Sequence, residues 1–391
     1  MALGKIMDKL SSERKLVVCC SKGMLLEGEA EYVKQLLTEK LDWKEILFQA
    51  VSHRCLNILY YHLRELDCLK AVDGETLKLM KNQFELAKIR NTFYYKELDT
   101  IFEEFNKENI KAAILKGNFL SREVYPEIET RTFNDLDMLI SLNDASKVVA
   151  AVEKLGYIQG DYDAKLNQIV PSTRRQKMYH QMTTHELQEC LKLTDYPFTK
   201  ILEVDFNHDI LWKGNCPYKI CTEELLERAD KIKIEQSEAY VLDREDCLLQ
   251  LICHLYKEAV VINWIAEARD LKLYKFADIA TYAIKYQNEI DWQKLITRAH
   301  NYKCEKVVYY VLYYVQYLYG DVIPDNILEQ FTFDNYDFLN EYGVENENVK
   351  YWKSEFHERL FELERIEELT EEDKIKNTEF WNNKGSDGKD K

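Results

Sequence analysis

The hydrophobic positions of this 391-residue chain change their period twice. From about residue 31 to 105 they recur at three- and four-residue intervals, as in "LDWKEILFQAVSHRCLNILYYHLREL", the spacing of helices with one buried face. Residues 76–105 continue as one long helix, with Leu77, Leu79, Met80, Phe84 and Leu86 early and Leu98, Ile101, Phe102 and Phe105 late. Short apolar runs then alternate with turn residues. "IKAAILKG" (110–117) reads as a strand and a turn, "NFLSREVY" as a helix, and "FNDLDMLI" (133–140) as a strand. "NDASKVVAAVEKLGY" reads as a helix, with Asn143 or Asp144 as N-cap and Gly156 past its end. "KILEVDFNHDILW" (200–212) is a further strand, whereas residues 160–199 are polar and irregular and yield no assignment. Helical spacing returns from about 222 in "REDCLLQLICHLYKEA", "LYKFADIATYAIKY" and "IDWQKLITRAHNYKCEKVVYYVLYYVQYLYG". The expected architecture is α+β: a small mixed-sheet core at 106–215, flanked by helical regions at 1–105 and 216–382, with a polar disordered tail from about 383 to 391.

The strand pattern poses a chemical question. Side chains alternate faces in a strand, so Asp135 and Asp137 share one face while Leu136, Met138 and Ile140 share the other. Glu203 and Asp205 repeat the arrangement in "LEVDF", opposite Leu202, Val204 and Phe206. Burying unpaired like charges costs several kcal/mol or forces protonation. Either a cation stands between the acids, or these are edge strands whose acids face water. Two such strands side by side would gather three or four carboxylates, hard oxygen ligands suited to Mg²⁺ or Mn²⁺ together with substrate phosphates. Lys116-Gly117-Asn118 precedes a helix, and a glycine there lets backbone N–H groups approach a phosphate.

Composition narrows the classes. A net charge of −16 argues against a long nucleic acid as partner, while leaving room for a local nucleotide pocket. Glycine (12) and proline (5) are scarce, which favours long helices. The ten cysteines form no Cys-x-x-Cys pair, and Cys19-Cys20 and Cys216…Cys221 lack zinc-site spacing. With no signal-peptide h-region and no apolar run of about 18 residues, the chain reads as cytoplasmic, with free thiols and no membrane contact.

"AAILKGNFLSREVY…RTFNDLDMLI…LEVDF" resembles the poorly characterised nucleotidyltransferase family of the polymerase-beta-type superfamily. The helical lead-in and "EDCLLQLICHL", "FADIATYAI" and "IDWQKLITRA" follow in the same order, so the resemblance covers roughly residues 30–320. It implies a nucleotidyltransferase core with a carboxylate triad. Asp135 and Asp137 match the paired metal-binding acids, and Lys116 and Gly117 match a Lys-Gly that faces the triphosphate. Arg131 matches an arginine just before the acid pair, and Glu203 matches the acid of a late Glu-x-His-Trp-like strand. Asp205 stands where that strand carries His, and Phe206 where it carries Trp, so the third carboxylate is Glu203 or Asp205. The superfamily's Gly-Ser turn is Gly117-Asn118 in this chain. The expected reaction is transfer of a nucleoside monophosphate from an NTP, with ATP as the expected donor, to an acceptor hydroxyl. Lys116, Gly117, Asn118 and Arg131 would hold the triphosphate, and Asp135, Asp137 and Glu203 or Asp205 would hold Mg²⁺ or Mn²⁺. The acceptor is a small molecule or a peptide. The rival is a nucleotide- or partner-binding protein of the same fold without turnover.

Other residues read as structural. His180 and His185 read as polar surface positions, with an acceptor or metal contact as the alternative; His208 and His254 read as structural. Arg174, Arg175 and Lys177 read as an exposed basic loop. An internal echo pairs Asp42-Trp43 with Asp291-Trp292, Ala50 with Ala299, Cys55 with Cys304, Tyr60-Tyr61 with Tyr309-Tyr310 and Leu63 with Leu312. It predicts two similar helix–turn–helix packings in which Asp caps, Trp anchors, and Ala and Cys permit close approach.

Overall fold

A single 35-residue helix, Gly74–Glu108, links the N-terminal helices to the sheet. Asp73 starts it by accepting hydrogen bonds from the Glu75 and Thr76 N–H groups, and Asn109 ends it in a left-handed conformation (φ 52°). Its buried stripe is Met80, Phe84, Ala87, Asn91, Tyr94, Tyr95, Leu98, Ile101, Phe102 and Phe105, while Leu79 and Leu86 lie on the exposed side. The computed structural model describes residues 4–211, 220–344 and 349–374. The expected tail at 383–391, Trp212 at the end of the expected strand 200–212, and Cys216 lie outside the described residues.

The sheet has eight strands: β1 (Ala112–Ile114), β2 (Leu136–Ile140), β3 (Ile158–Asp163), β4 (Gln168–Pro171), β5 (Cys190–Leu193), β6 (Ile201–Asn207), β7 (Asp230–Lys233) and β8 (Glu238–Val241). Their order is β4-β3-β5-β6-β2-β1-β8-β7. The sheet is mixed: β2 runs parallel to β6 and antiparallel to β1, and β1 runs parallel to β8. The acid-bearing β2 is therefore an interior strand, and the edge-strand alternative for it falls away. Residues 160–199, unassigned from sequence, supply most of β3, then β4, the helix Arg174–Thr183 and β5. No strand among them alternates cleanly: β4 is an edge strand that buries no residue fully, and β3 and β5 each bury two consecutive residues. Two strands, β7 and β8, come from beyond residue 216 and join the sheet at β1. The turn between them is held by Asp99 of the long helix, which accepts from the Gln236 and Ser237 N–H groups.

The C-terminal helices Arg244–Val260, Leu273–Lys285, Trp292–Asn301 and Glu305–Tyr319 pack with the sheet and the N-terminal helices in one apolar core. The internal echo is real. Asp42 caps Trp43–Ser52 and Asp291 caps Trp292–Asn301. Each helix ends in a left-handed residue, Arg54 (φ 55°) or Lys303 (φ 55°), after which the Cys55 and Cys304 N–H groups bond back to the Ala50 and Ala299 carbonyls. Ala50, Ala299 and Cys304 are wholly buried, and Cys55 nearly so. Trp43 and Trp292 are only partly buried against the core, so they are rim anchors rather than deep ones.

Candidate active site

The two acid strands meet in register. Asp137 on β2 stands directly beside Asp205 on β6, and Leu136 beside Val204. Asp135 precedes β2 by one residue, so the same register brings it to the level of Glu203. Along β6 the faces alternate: Leu202, Val204 and Phe206 are buried, whereas Ile201, Glu203 and Asp205 are partly open. Four carboxylates thus share one open-sided face. Burial raises Asp135 to about 6, with Asp137 the next cause, and raises Glu203 to about 7, followed by Glu189 and Asp135. Asp205 is pushed well above the carboxylate range by burial and then by Asp137 and Asp135, and its Oδ1 has no hydrogen-bond partner.

One cation answers this cluster directly. Lys116 Nζ lies 2.7 Å from Asp137 Oδ1. Burial works against the charge, but Asp137 and Asp135 outweigh it and raise Lys116 above the usual lysine range. Lys116 sits at the start of the helix Lys116–Glu123 in a left-handed backbone conformation (φ 47°), which is uncommon for a residue with a Cβ and costs on the order of 1 kcal/mol. Gly117 has a packing reason to be glycine: a Cβ there would meet Phe133 Cβ at 2.8 Å. Asn118 is 2% exposed and turned inward. In the amide orientation that satisfies both ends, its oxygen accepts from the Asp137 N–H at 2.9 Å and its nitrogen donates to the Asp135 carbonyl at 3.0 Å. Asn118 therefore sets the backbone between the two acids.

Arg131 is also committed internally. Its Nε and Nη2 donate to Asp278 Oδ1 and Oδ2 at 2.8 and 2.7 Å, its Nη1 donates to the Thr132 carbonyl, and its guanidinium lies 4.4 Å from the Tyr274 ring centre. The pair ties the segment before the acids to the helix Leu273–Lys285. The long helix holds the same segment from the other side: Asn91 donates to the Ile128 and Arg131 carbonyls, Tyr94 to the Asn134 carbonyl, and Arg90 to Asn134 Oδ1 and the Phe133 carbonyl. Of the four residues expected to face a triphosphate, Lys116 alone has its charged end at the acids.

Several participants escaped the sequence reading. Glu186 bridges to Asn207 and adds its charge to Lys116, Glu203 and Asp205. Asn207 Nδ2 approaches Asp137 Oδ1 at 3.5 Å. Both come after residues whose pattern gave no hint, although Asn207 continues the Glu203, Asp205 alternation on β6. The surface expectation for the two histidines is wrong: His180 and His185 are each 8% exposed. Burial, with Lys257 and Lys116 nearby, holds His185 well below the usual histidine range, so it is neutral at pH 7. His208 is buried, its N–H bonded to the His185 carbonyl, and His254 lies 3.4 Å from Glu258. Arg174, Arg175 and Lys177 belong to a helix rather than a loop, with both arginines exposed.

The donor set suits a hard divalent cation: aligned carboxylates, one with an unpartnered buried oxygen. As they stand, however, no three His, Cys, Asp or Glu among the described residues are gathered closely enough to enclose an ion, and Lys116 occupies Asp137.

Residues 39–320 match the family described as uncharacterised nucleotidyltransferase, and the chain belongs to that family. No curated protein matches it. Among solved structures, an antigenic nucleotidyltransferase-like protein from Paracoccidioides brasiliensis aligns over 53% of this chain and 87% of its own, at 9% identity and a TM-score of 0.26. No helix among the described residues is long and apolar enough to cross a membrane.

Proposed function

We propose that the protein transfers a nucleoside monophosphate from an NTP, ATP being the expected donor, to a hydroxyl of a small-molecule or peptide acceptor. The observation that carries this reading is the register of Asp137 beside Asp205, with Asp135 and Glu203 on the same face, in a chain of a nucleotidyltransferase family. Asp135, Asp137 and Glu203 or Asp205 would hold Mg²⁺ or Mn²⁺, which when bound supplies charge neutralisation at the phosphates. Lys116 leaves Asp137 for the triphosphate, a short swing for a side chain already at the acids. The acceptor oxygen attacks the α-phosphorus as the bond from that phosphorus to the β-phosphate oxygen breaks. Pyrophosphate departs with the electron pair. Glu203 or Asp205 would orient the acceptor hydroxyl or take its proton. Asn118, Arg131 and Arg90 act at a distance by holding the Ile128–Asp137 segment in place.

The test is pyrophosphate release, measured with each of the four NTPs, Mg²⁺ or Mn²⁺, and pooled hydroxyl acceptors. Release that disappears in Asp137→Asn while the fold persists is the expected result. Retained release in Asp137→Asn removes the site. A second reading, a nucleotide-binding protein without turnover, draws support from Lys116 resting on Asp137 and from the open arrangement of the acids. Mg-NTP binding with no release from any acceptor pool would favour it.

A further inference from the structure

Next to the acids, beyond the ends of β2 and β6, lies a narrow pocket whose lining includes Lys116, His185, Gln250, His254, Lys257 and the single acid Asp209. Lys257 is borne by the helix Arg244–Val260 and is partly buried. Its closest polar contact is a long one, 3.5 Å from Nζ to His185 Nε2; Nζ also lies 5.6 Å from the Trp264 ring centre, and among the described residues no carboxylate lies within ion-pair distance of it. Buried cations are ordinarily paired, because desolvation without a counter-charge is costly. Another group in the lining is unsatisfied: His185 is 8% exposed with Nδ1 unpartnered. A lysine can only donate, so a neutral His185 accepting at Nε2 carries its proton on Nδ1, a donor without a partner. A second cation, Lys116, faces the same pocket while touching Asp137.

We infer that this pocket is an anion subsite that seats a phosphate group, with Lys257 as its principal cation and His185 and Lys116 as further donors. Burial and the nearby Lys116 hold Lys257 at about 8, and the more distant Glu186 and Asp137 offset this only in part. The pocket is narrow, so entry requires the two lysine stems to part, which four rotatable bonds in each allow. The phosphate could belong to the NTP's β,γ-diphosphate tail or to the acceptor. Which of these it is rests on the nucleotidyl-transfer reading; the existence of the subsite does not.

The probe is inorganic tripolyphosphate, titrated calorimetrically into the full chain without divalent metal. The wild type should bind it. Lys257→Met should weaken binding about tenfold or more, the loss of one charge-assisted hydrogen bond, and Lys257→Arg should restore most of it. Unchanged circular dichroism and melting temperature in Lys257→Met show that the pocket alone was altered; if that variant fails to fold, Lys257→Gln replaces it. Adding a saturating non-hydrolysable NTP with Mg²⁺ then assigns the source. Competition with tripolyphosphate identifies the NTP tail, and simultaneous binding identifies a phosphate-bearing acceptor. No tripolyphosphate binding in the wild type, or equal binding in Lys257→Met and wild type, overturns the subsite. Lys257-dependent binding in a protein that releases no pyrophosphate would leave the subsite standing while the transferase reading fell.

Discussion

At the scale of single residues, the acid face is a destabilising feature held in place by its surroundings. Asp205 shows this most directly: burial and the neighbouring Asp137 and Asp135 oppose its ionisation, and one of its oxygens bonds to nothing. Asp205→Asn keeps the shape and removes the repulsion. The metal-free variant should therefore melt higher than wild type at pH 8, a difference readable by calorimetry, while pyrophosphate release falls by orders of magnitude. A variant that melts lower would show that Asp205 is paired in a way its geometry does not reveal. Lys116 is the counterpart. It neutralises Asp137 at 2.7 Å, so a divalent ion must compete with it for that oxygen. Lys116→Met should raise the affinity for Mn²⁺ alone, followed by paramagnetic resonance, and lower the affinity for Mg-NTP. A loss of Mn²⁺ affinity in that variant would mean that Lys116 positions the acids rather than competing at them.

At the scale of elements, what was legible from sequence and what was not divide by the kind of interaction. The helices and the strands β1, β2 and β6 could be read because a one-sided core imposes a period on their own residues, as in Leu202, Val204 and Phe206. The paired acids were visible for the same reason: they break the apolar pattern at its own period. The strands β3 to β5 were hidden because none alternates along its own residues: β4 is an edge strand with no fully buried residue, while β3 and β5 each bury two consecutive residues. The strands β7 and β8 were hidden because they lie far along the chain from β1, which β8 joins in the sheet. The inward turn of Arg131 was hidden as well, since Asp278 lies 147 residues away. That pair joins two elements, and its strength can be measured. Breaking a buried ion pair from one side costs about 3–5 kcal/mol, so Asp278→Ala should lower stability by that order and loosen the segment before Asp135. If Arg131 instead served a bound triphosphate, Asp278→Ala would leave stability nearly unchanged. The echoed turns carry a companion test. Ala299 is wholly buried where the helix meets its successor, and Ala299→Leu should cost about 1–3 kcal/mol by overpacking.

For the whole molecule, the four acids couple folding to pH and to ligands. Asp135 is raised to about 6 and Glu203 to about 7, mainly by burial, against about 4 in an unfolded chain. An acid whose native pKa lies above its unfolded value binds more protons in the native state across that interval. Stability from these groups is therefore fullest below about pH 4, falls as pH rises from about 4 to about 7, and is level above. Other carboxylates in this chain have the opposite slope; burial would raise Asp243, but its bonds to Arg298 outweigh that and hold it well below the usual carboxylate range, so its contribution is gained in the acid range below the window in question. The cleanest reading is thus a difference measurement between pH 5 and 8. The metal-free wild type should lose more stability over that range than Glu203→Gln, whose side chain does not titrate. Divalent ions reverse the sign of the site's contribution, because a cation competes with protons for the same oxygens. With Mg²⁺ and NTP present, the rise in melting temperature should be small at pH 5 and grow toward pH 8, following the ligand concentration as binding to the native state requires. Equal pH slopes for wild type and Glu203→Gln, together with a ligand-induced rise that does not change with pH, would show that the acid face neither repels itself nor meets a cation.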